Sequence, residues 1–170
     1  MRIYACIATA LVLYCQGAAA IDDTPALFTL RDSEARAGSH LRRDAGAAAA
    51  VASNKRYADL GGEEKRALRA AYDSLGADDE PPFPLNGMAR IQKAIREVQA
   101  RSAEKGLLRM AVKVDSKGDA SAVEILSSPG EKTSKFAALV LMAEKYKPAL
   151  CHGAPCGMEF PYSAEFAAPN

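Results

Sequence analysis

The run Met158-Glu-Phe-Pro-Tyr-Ser-Ala-Glu-Phe166 constrains this chain more than any other stretch. Met158, Phe160, Tyr162, Ala164 and Phe166 alternate with Glu159, Pro161, Ser163 and Glu165, the period of two expected of a strand with one buried face. Pro161 narrows the placement further. A proline gives no N–H to a ladder, so it belongs on an edge strand or at a bulge. An edge turns main-chain groups outward, where an extended peptide can pair with them. The same proline, flanked by glutamates, also blunts an edge against aggregation, and the pattern by itself accommodates both roles.

Two further strands precede it. Leu108, Met110, Val112 and Val114 alternate with Arg109, Ala111, Lys113 and Asp115, and Val123 and Ile125 continue the apolar face on a return strand. Ser116-Lys117-Gly118 between them suits a three-residue hairpin loop with glycine in the left-handed position. Pro129-Gly130 breaks the second strand. Glu131 then opens a helix predicted to carry Phe136, Leu139, Val140 and Ala143 on one side and to end at Pro148.

Upstream, a helix is expected from Asn86 to Lys105. Met88, Ile91, Ala94, Ile95 and Val98 form its apolar stripe, while Arg90, Lys93, Arg96, Glu97 and Arg101 face water. Asn86 can cap it, and Gly106 is expected to stop it. A shorter helix from Gly62 to Leu75 rests on Leu68, Ala71, Tyr72 and Leu75, with Glu63 and Glu64 at its positive end and Gly76 beyond it. Ala77 to Pro84 carries three prolines and reads as a stiff connector, the best place for a boundary.

The amino-terminal end reads as a secretory leader. Arg2 supplies a positive start, Ile3 to Tyr14 an apolar stretch, and Ala18-Ala19-Ala20 a small-residue cleavage site. That apolar stretch is short of the roughly 20 residues a membrane span needs. The chain has 22 Lys and Arg against 21 Asp and Glu, and Arg2 is the leader's only charge, so the remainder is formally neutral. Such a balance lacks the basic footprint of a nucleic-acid binder. Cys6 and Cys15 fall in the leader. Cys151 and Cys156 are then the exported pair, and in an oxidising compartment they are expected to form a disulfide. The organisation read from these signals is a signal peptide over 1–20, a flexible tether over 21–61, an accessory helix and linker over 62–80, and a domain over 81–170.

Several of these landmarks, in this order, resemble the TonB C-terminal domain family. They are the Val114-Asp-Ser-Lys-Gly-Asp119 turn, Ser127-Ser128, Tyr146-Lys147-Pro148-Ala149, Gly153-Ala154-Pro155, and Phe160-Pro161-Tyr162 followed by Phe166. Phe83-Pro84 resembles the aromatic-proline pair before that family's first helix. The resemblance implies an α+β fold: a small three-stranded antiparallel sheet with two helices packed on one face. It also implies a protein or peptide partner, such as a TonB-dependent receptor or its TonB box, paired along the last strand. Glu159, Pro161, Ser163 and Glu165 would be the partner-binding edge, and Phe83 and Pro84 secondary contacts. The chain departs from an energy transducer in its cleavable leader, its lack of Glu-Pro and Lys-Pro repeats, and the longer stretch between Phe83-Pro84 and the first strand.

The expected function is therefore a periplasmic or secreted binding module, accessory to transport through outer-membrane receptors, with no cofactor, metal or small-molecule substrate. Two other readings compete. One keeps the leader as an inner-membrane anchor, making a short energy transducer. The other is a cell-wall-associated domain that meets peptidoglycan through the basic face from Arg90 to Arg101. Catalysis is not expected. His40 lies in the tether and His152 beside a cysteine expected to be oxidised, so no nucleophile and base come together in the pattern.

Overall fold

The computed structural model describes residues 28–30, 41–42 and 54–167. The leader expected over 1–20, and most of the tether expected over 21–61, lie outside the described residues. The fold is α+β. Its central sheet holds β3 (Gly106–Val114), β4 (Ala120–Ser127) and β8 (Met158–Phe166) in antiparallel pairing, with β3 in the middle. A short β1 (Phe28–Leu30) adds to β4 in parallel, giving the order β1-β4-β3-β8. The expected three-stranded sheet thus gains a fourth strand. Phe-Thr-Leu has strong strand propensity, and pairing it there covers a rim that β4 would otherwise expose.

The β3–β4 turn follows the pattern in the sequence. Gly118 has φ 86°, and a Cβ there would stand 2.1 Å from the Tyr146 carbonyl oxygen, so only glycine fits. Asp115 holds the turn by accepting from the Lys117 and Asp119 N–H groups at 2.8 and 2.9 Å.

Two helices cover one face of the sheet. α2 (Ala89–Gln99) contributes Ile91 and Ile95, and α3 (Glu131–Ala143) contributes Ala137, Ala138 and Leu141. They meet Met110, Val112, Val123, Ile125, Phe160 and Tyr162 in one buried cluster. α2 ends well before Gly106, which instead opens β3, and no side chain caps its start, so neither terminus falls where Asn86 and Gly106 suggest.

α3 corrects a larger expectation. Its buried residues are Thr133, Ser134, Ala137, Ala138 and Leu141, while Phe136 and Leu139 are 40% and 55% exposed. Of the predicted Phe136-Leu139-Val140-Ala143 stripe, Phe136, Leu139 and Ala143 turn outward, and only the half-buried Val140 packs against the core. Alanines let this helix lie close to the sheet, so the small residues win the buried side over the bulky ones. α3 also stops at Ala143, before Pro148, and the Tyr146 hydroxyl donates to the Leu141 carbonyl at its end (3.0 Å).

The segment before α2 is not a spacer. α1 (Gly62–Arg69) is shorter than expected, and Leu68 joins Tyr57 and Leu60 in the same cluster as the sheet. Within the region read as a tether, Leu41 bridges to Tyr72 as well. Pro81, Pro82, Phe83 and Pro84 are all buried. β2 (Phe83–Pro84) pairs with β5 (Tyr146–Lys147), and Glu80 bridges to Leu150. The proline-rich stretch is therefore stitched to the carboxy-terminal half, where a boundary was expected.

β6 (Ala149–Cys151) and β7 (Ala154–Cys156) form a separate hairpin. Its two-residue loop, His152-Gly153, takes positive φ at both positions (50° and 80°), as a type I′ turn requires. Cys151 and Cys156 are bonded across it, with Cα atoms 5.8 Å apart. The loop is also pinned from outside, since the His152 N–H donates to the Asp79 carboxylate at 2.8 Å.

Candidate docking rim

Among the described residues, β8 is the last strand of the sheet on its side. Its register runs from Gly106 opposite Phe166 to Val114 opposite Met158, and places Pro161 opposite Ala111. Antiparallel partners alternate between pairs that exchange hydrogen bonds and pairs that do not. Proline has no N–H to exchange, so Ala111 and Pro161 form a non-bonded pair. It follows that Glu159, Pro161, Ser163 and Glu165 turn their main-chain groups away from β3, toward the rim. Phe160, Tyr162 and Phe166 are buried among the helices, with the Phe160 ring edge-on to Phe83 at 6.2 Å.

The rim is partly fastened. The Tyr72 hydroxyl donates to the Glu159 carbonyl at 2.8 Å, and the Gln99 side-chain amide donates to the Glu165 carbonyl at 3.0 Å. These two bonds fix the ends of the strand, and Pro161 removes a donor between them. The expected open edge from Gly157 to Phe166 is therefore closed at the Glu159 and Glu165 carbonyls. Glu159, expected to meet a partner, is held from within the fold. Phe83 and Pro84 are corrected outright: Phe83 is 1% exposed and Pro84 is buried, so neither offers a contact surface. Both serve the core, through the pairing with Lys147 and Tyr146.

Between β8 and α2 lies a groove of about 150 Å³ lined by Met88, Gln92, Ile95, Arg96, Gln99 and Tyr162. Met88, Ile95 and Tyr162 are buried and form its floor. Gln92, Arg96 and Gln99 stand at i, i+4 and i+7 on α2, one polar row facing the rim. Burial pushes the Tyr162 phenol up to about 12, with the Arg96 charge pulling the other way. Arg96 is exposed and makes no ion pair among the described residues.

Sequence reasoning found the strand and missed Tyr72, Gln92 and Gln99 as parts of the site. The signal for Gln92 and Gln99 was present as a polar row flanking the apolar stripe of α2. Tyr72 gave none, because its role depends on a contact far along the chain. Ser127 and Ser128, landmarks in the sequence, take structural roles. Ser127 donates to the Leu107 carbonyl at 2.8 Å, and the Ser128 and Ser134 hydroxyls pair at 2.6 Å beside the start of α3.

The fold and rim define an α+β protein with a nine-residue strand closing one side of its sheet. No family model, curated protein or solved structure matches this chain. Among the described residues, no helix is long and apolar enough to cross a membrane.

Proposed function

We propose that this chain is an exported binding module that takes up an extended segment of a partner protein by strand addition along β8. The observation that carries the reading is position. β8 ends the sheet order, and its odd-numbered residues aim main-chain groups outward beside a groove. Main-chain pairing supplies affinity in this mode, and pockets beside the strand supply selectivity. The guest competes with the Gln99 amide for the Glu165 carbonyl, and Pro161 sets a gap in its ladder.

The landmarks shared with TonB C-terminal domains suggest the partner class, a TonB-dependent receptor acting through its TonB box. The bonded Cys151–Cys156 pair suits an oxidising compartment, consistent with a leader ending near Ala20. Titrating labelled protein with TonB-box peptides tests the reading. Amide shifts concentrated on residues 160–166 and on α2 support it, while shifts scattered elsewhere, or none, refute it. Mass spectrometry of the native amino terminus checks the export step, where a chain beginning at Ile21 is expected.

A further inference from the structure

A helix that is apolar on every side is at home only where every side is covered. α3 is such a helix, and the fold covers one side of it. Ala137, Ala138 and Leu141 meet the sheet, while Phe136 and Leu139 stand 40% and 55% exposed and Ala143 continues their line. Leu85, also exposed, prolongs that line at the foot of the helix, where its N–H donates to the Lys145 carbonyl at 2.8 Å. At the other end a cavity of about 390 Å³ opens between the end of α2 and the start of α3, with Val98, Ala103 and Phe136 in its walls. An apolar stripe thus runs the length of α3 on the side away from the sheet.

The charges around the stripe leave cations over. Arg101 and Lys132 line the cavity, and Lys105 follows close behind in the chain. None of these three makes an ion pair among the described residues. The acids nearby are mostly engaged: Glu131 pairs with Lys135 at 2.5 Å, Glu144 with Arg90 at 3.6 Å, and Asp119 with Lys145. Glu104 also lines the cavity, but one of its carboxylate oxygens is buried. Phenylalanine and leucine edged by unpaired cations match a bilayer surface, where acyl chains meet the apolar groups and anionic headgroups meet the cations. Covering the same cations with an apolar protein face would strip their water and leave them unpaired. Headgroups lie in water and ask for no such burial.

We infer that the outer face of α3, together with the end of α2, seats this protein on a lipid bilayer that carries anionic headgroups. The apolar stripe enters the headgroup layer, and Arg101, Lys105 and Lys132 hold the phosphates around it. This contact uses the helix layer and none of the main-chain groups of β8, so it stands or falls apart from the strand-addition reading.

The test pellets the exported protein with vesicles of phosphatidylglycerol and phosphatidylcholine in equal parts, and with vesicles of phosphatidylcholine alone. Binding to the anionic vesicles is expected to be about tenfold tighter, and to weaken in about 0.5 M salt. The pair Arg101→Glu with Lys132→Glu should remove that preference. The pair Phe136→Ser with Leu139→Ser should weaken binding to the anionic vesicles about tenfold. Leu107→Ser is the control, because Leu107 is 44% exposed but alternates with the buried Leu108 and so faces away from the helices. It should bind as the parent does. All five positions are exposed, so circular dichroism should show every variant folded. Equal binding to both vesicle types overturns the inference. So does binding that ignores both pairs, whether it comes from a retained leader or from another face. Pelleting with purified peptidoglycan and not with vesicles, or self-association that the Phe136 and Leu139 pair abolishes, assigns the face to a different occupant and overturns it too.

Discussion

The Tyr72 hydroxyl donates a 2.8 Å hydrogen bond to the main-chain carbonyl of Glu159, 87 residues further along the chain. It fastens one end of the rim strand to the turn after α1, so the segment before α2 and the sheet edge support one another. Tyr72→Phe keeps the ring among Ala71, Leu41, Leu75 and Met158 and deletes only the hydroxyl. The expected cost is about 1 kcal/mol, read from urea unfolding. An unchanged midpoint would show that the contact contributes nothing.

At the other end of β8, Gln99 occupies the Glu165 carbonyl that a guest strand would use. Gln99→Ala removes that competitor and leaves α2 a better helix former. Extended peptides should therefore bind this variant several-fold more tightly in fluorescence titrations, by roughly the 1 kcal/mol that such a bond is worth. Equal affinity in the two proteins would argue that the guest sits elsewhere.

The two leucines of α3 on opposite faces separate burial from hydrophobicity. Leu141 is fully buried and Leu139 is 55% exposed. Leu141→Ala should cost about 2–5 kcal/mol, through lost transfer energy and the cavity left behind. Leu139→Ala should stay within about 0.5 kcal/mol. Chemical denaturation of both variants decides whether α3 is seated as described; the reverse ranking would mean that the helix is rotated.

Reduction of the Cys151–Cys156 bond releases a loop spanning five positions of sequence. A loop this short constrains the unfolded chain weakly, so the expected loss is about 2 kcal/mol. The damage should be local, since the hairpin is held to the rest by the Glu80–Leu150 bridge and the His152–Asp79 bond. Hydrogen exchange with and without reductant should show faster exchange at residues 149–156 and little change in β3.

Alkaline pH should loosen the fold. Burial raises the Tyr162 phenol to about 12 and the Tyr72 phenol well above its ordinary value, in both cases because the phenolate would lose its water. Unfolded tyrosines titrate near 10. Below that pH both states keep their protons, and the contribution is fully present. As pH rises from about 10 toward 12, the unfolded state releases protons first, and stability falls. Unfolding midpoints measured from pH 8 to pH 12 should drop above about 10, more steeply than in a Tyr162→Phe variant.

Much of the fold was legible because its signals are local. The alternations of β3, β4 and β8, the Gly118 turn, the cysteine pair and the existence of α1, α2 and α3 follow from residues close together in sequence. The errors share one cause. α3 carries two apolar faces, Phe136-Leu139 and Ala138-Leu141, and periodicity cannot say which one meets the sheet. Phe83 and Pro84 were expected as contacts because they resemble a family's aromatic-proline pair, yet pairing with Lys147-Tyr146 draws them inside. Of the candidate site, Pro161 and its strand were readable, while the fastenings at Glu159 and Glu165 were not.

The amino-acid order alone settled that a strand with a missing donor runs through Pro161, since ring closure onto nitrogen is a property of the residue itself. Tertiary packing alone decided that Tyr72 and Gln99 fasten that rim and that Arg96 overlooks the groove beside it. Those contacts join segments dozens of residues apart, and only the burial of one shared core brings such segments within hydrogen-bonding reach.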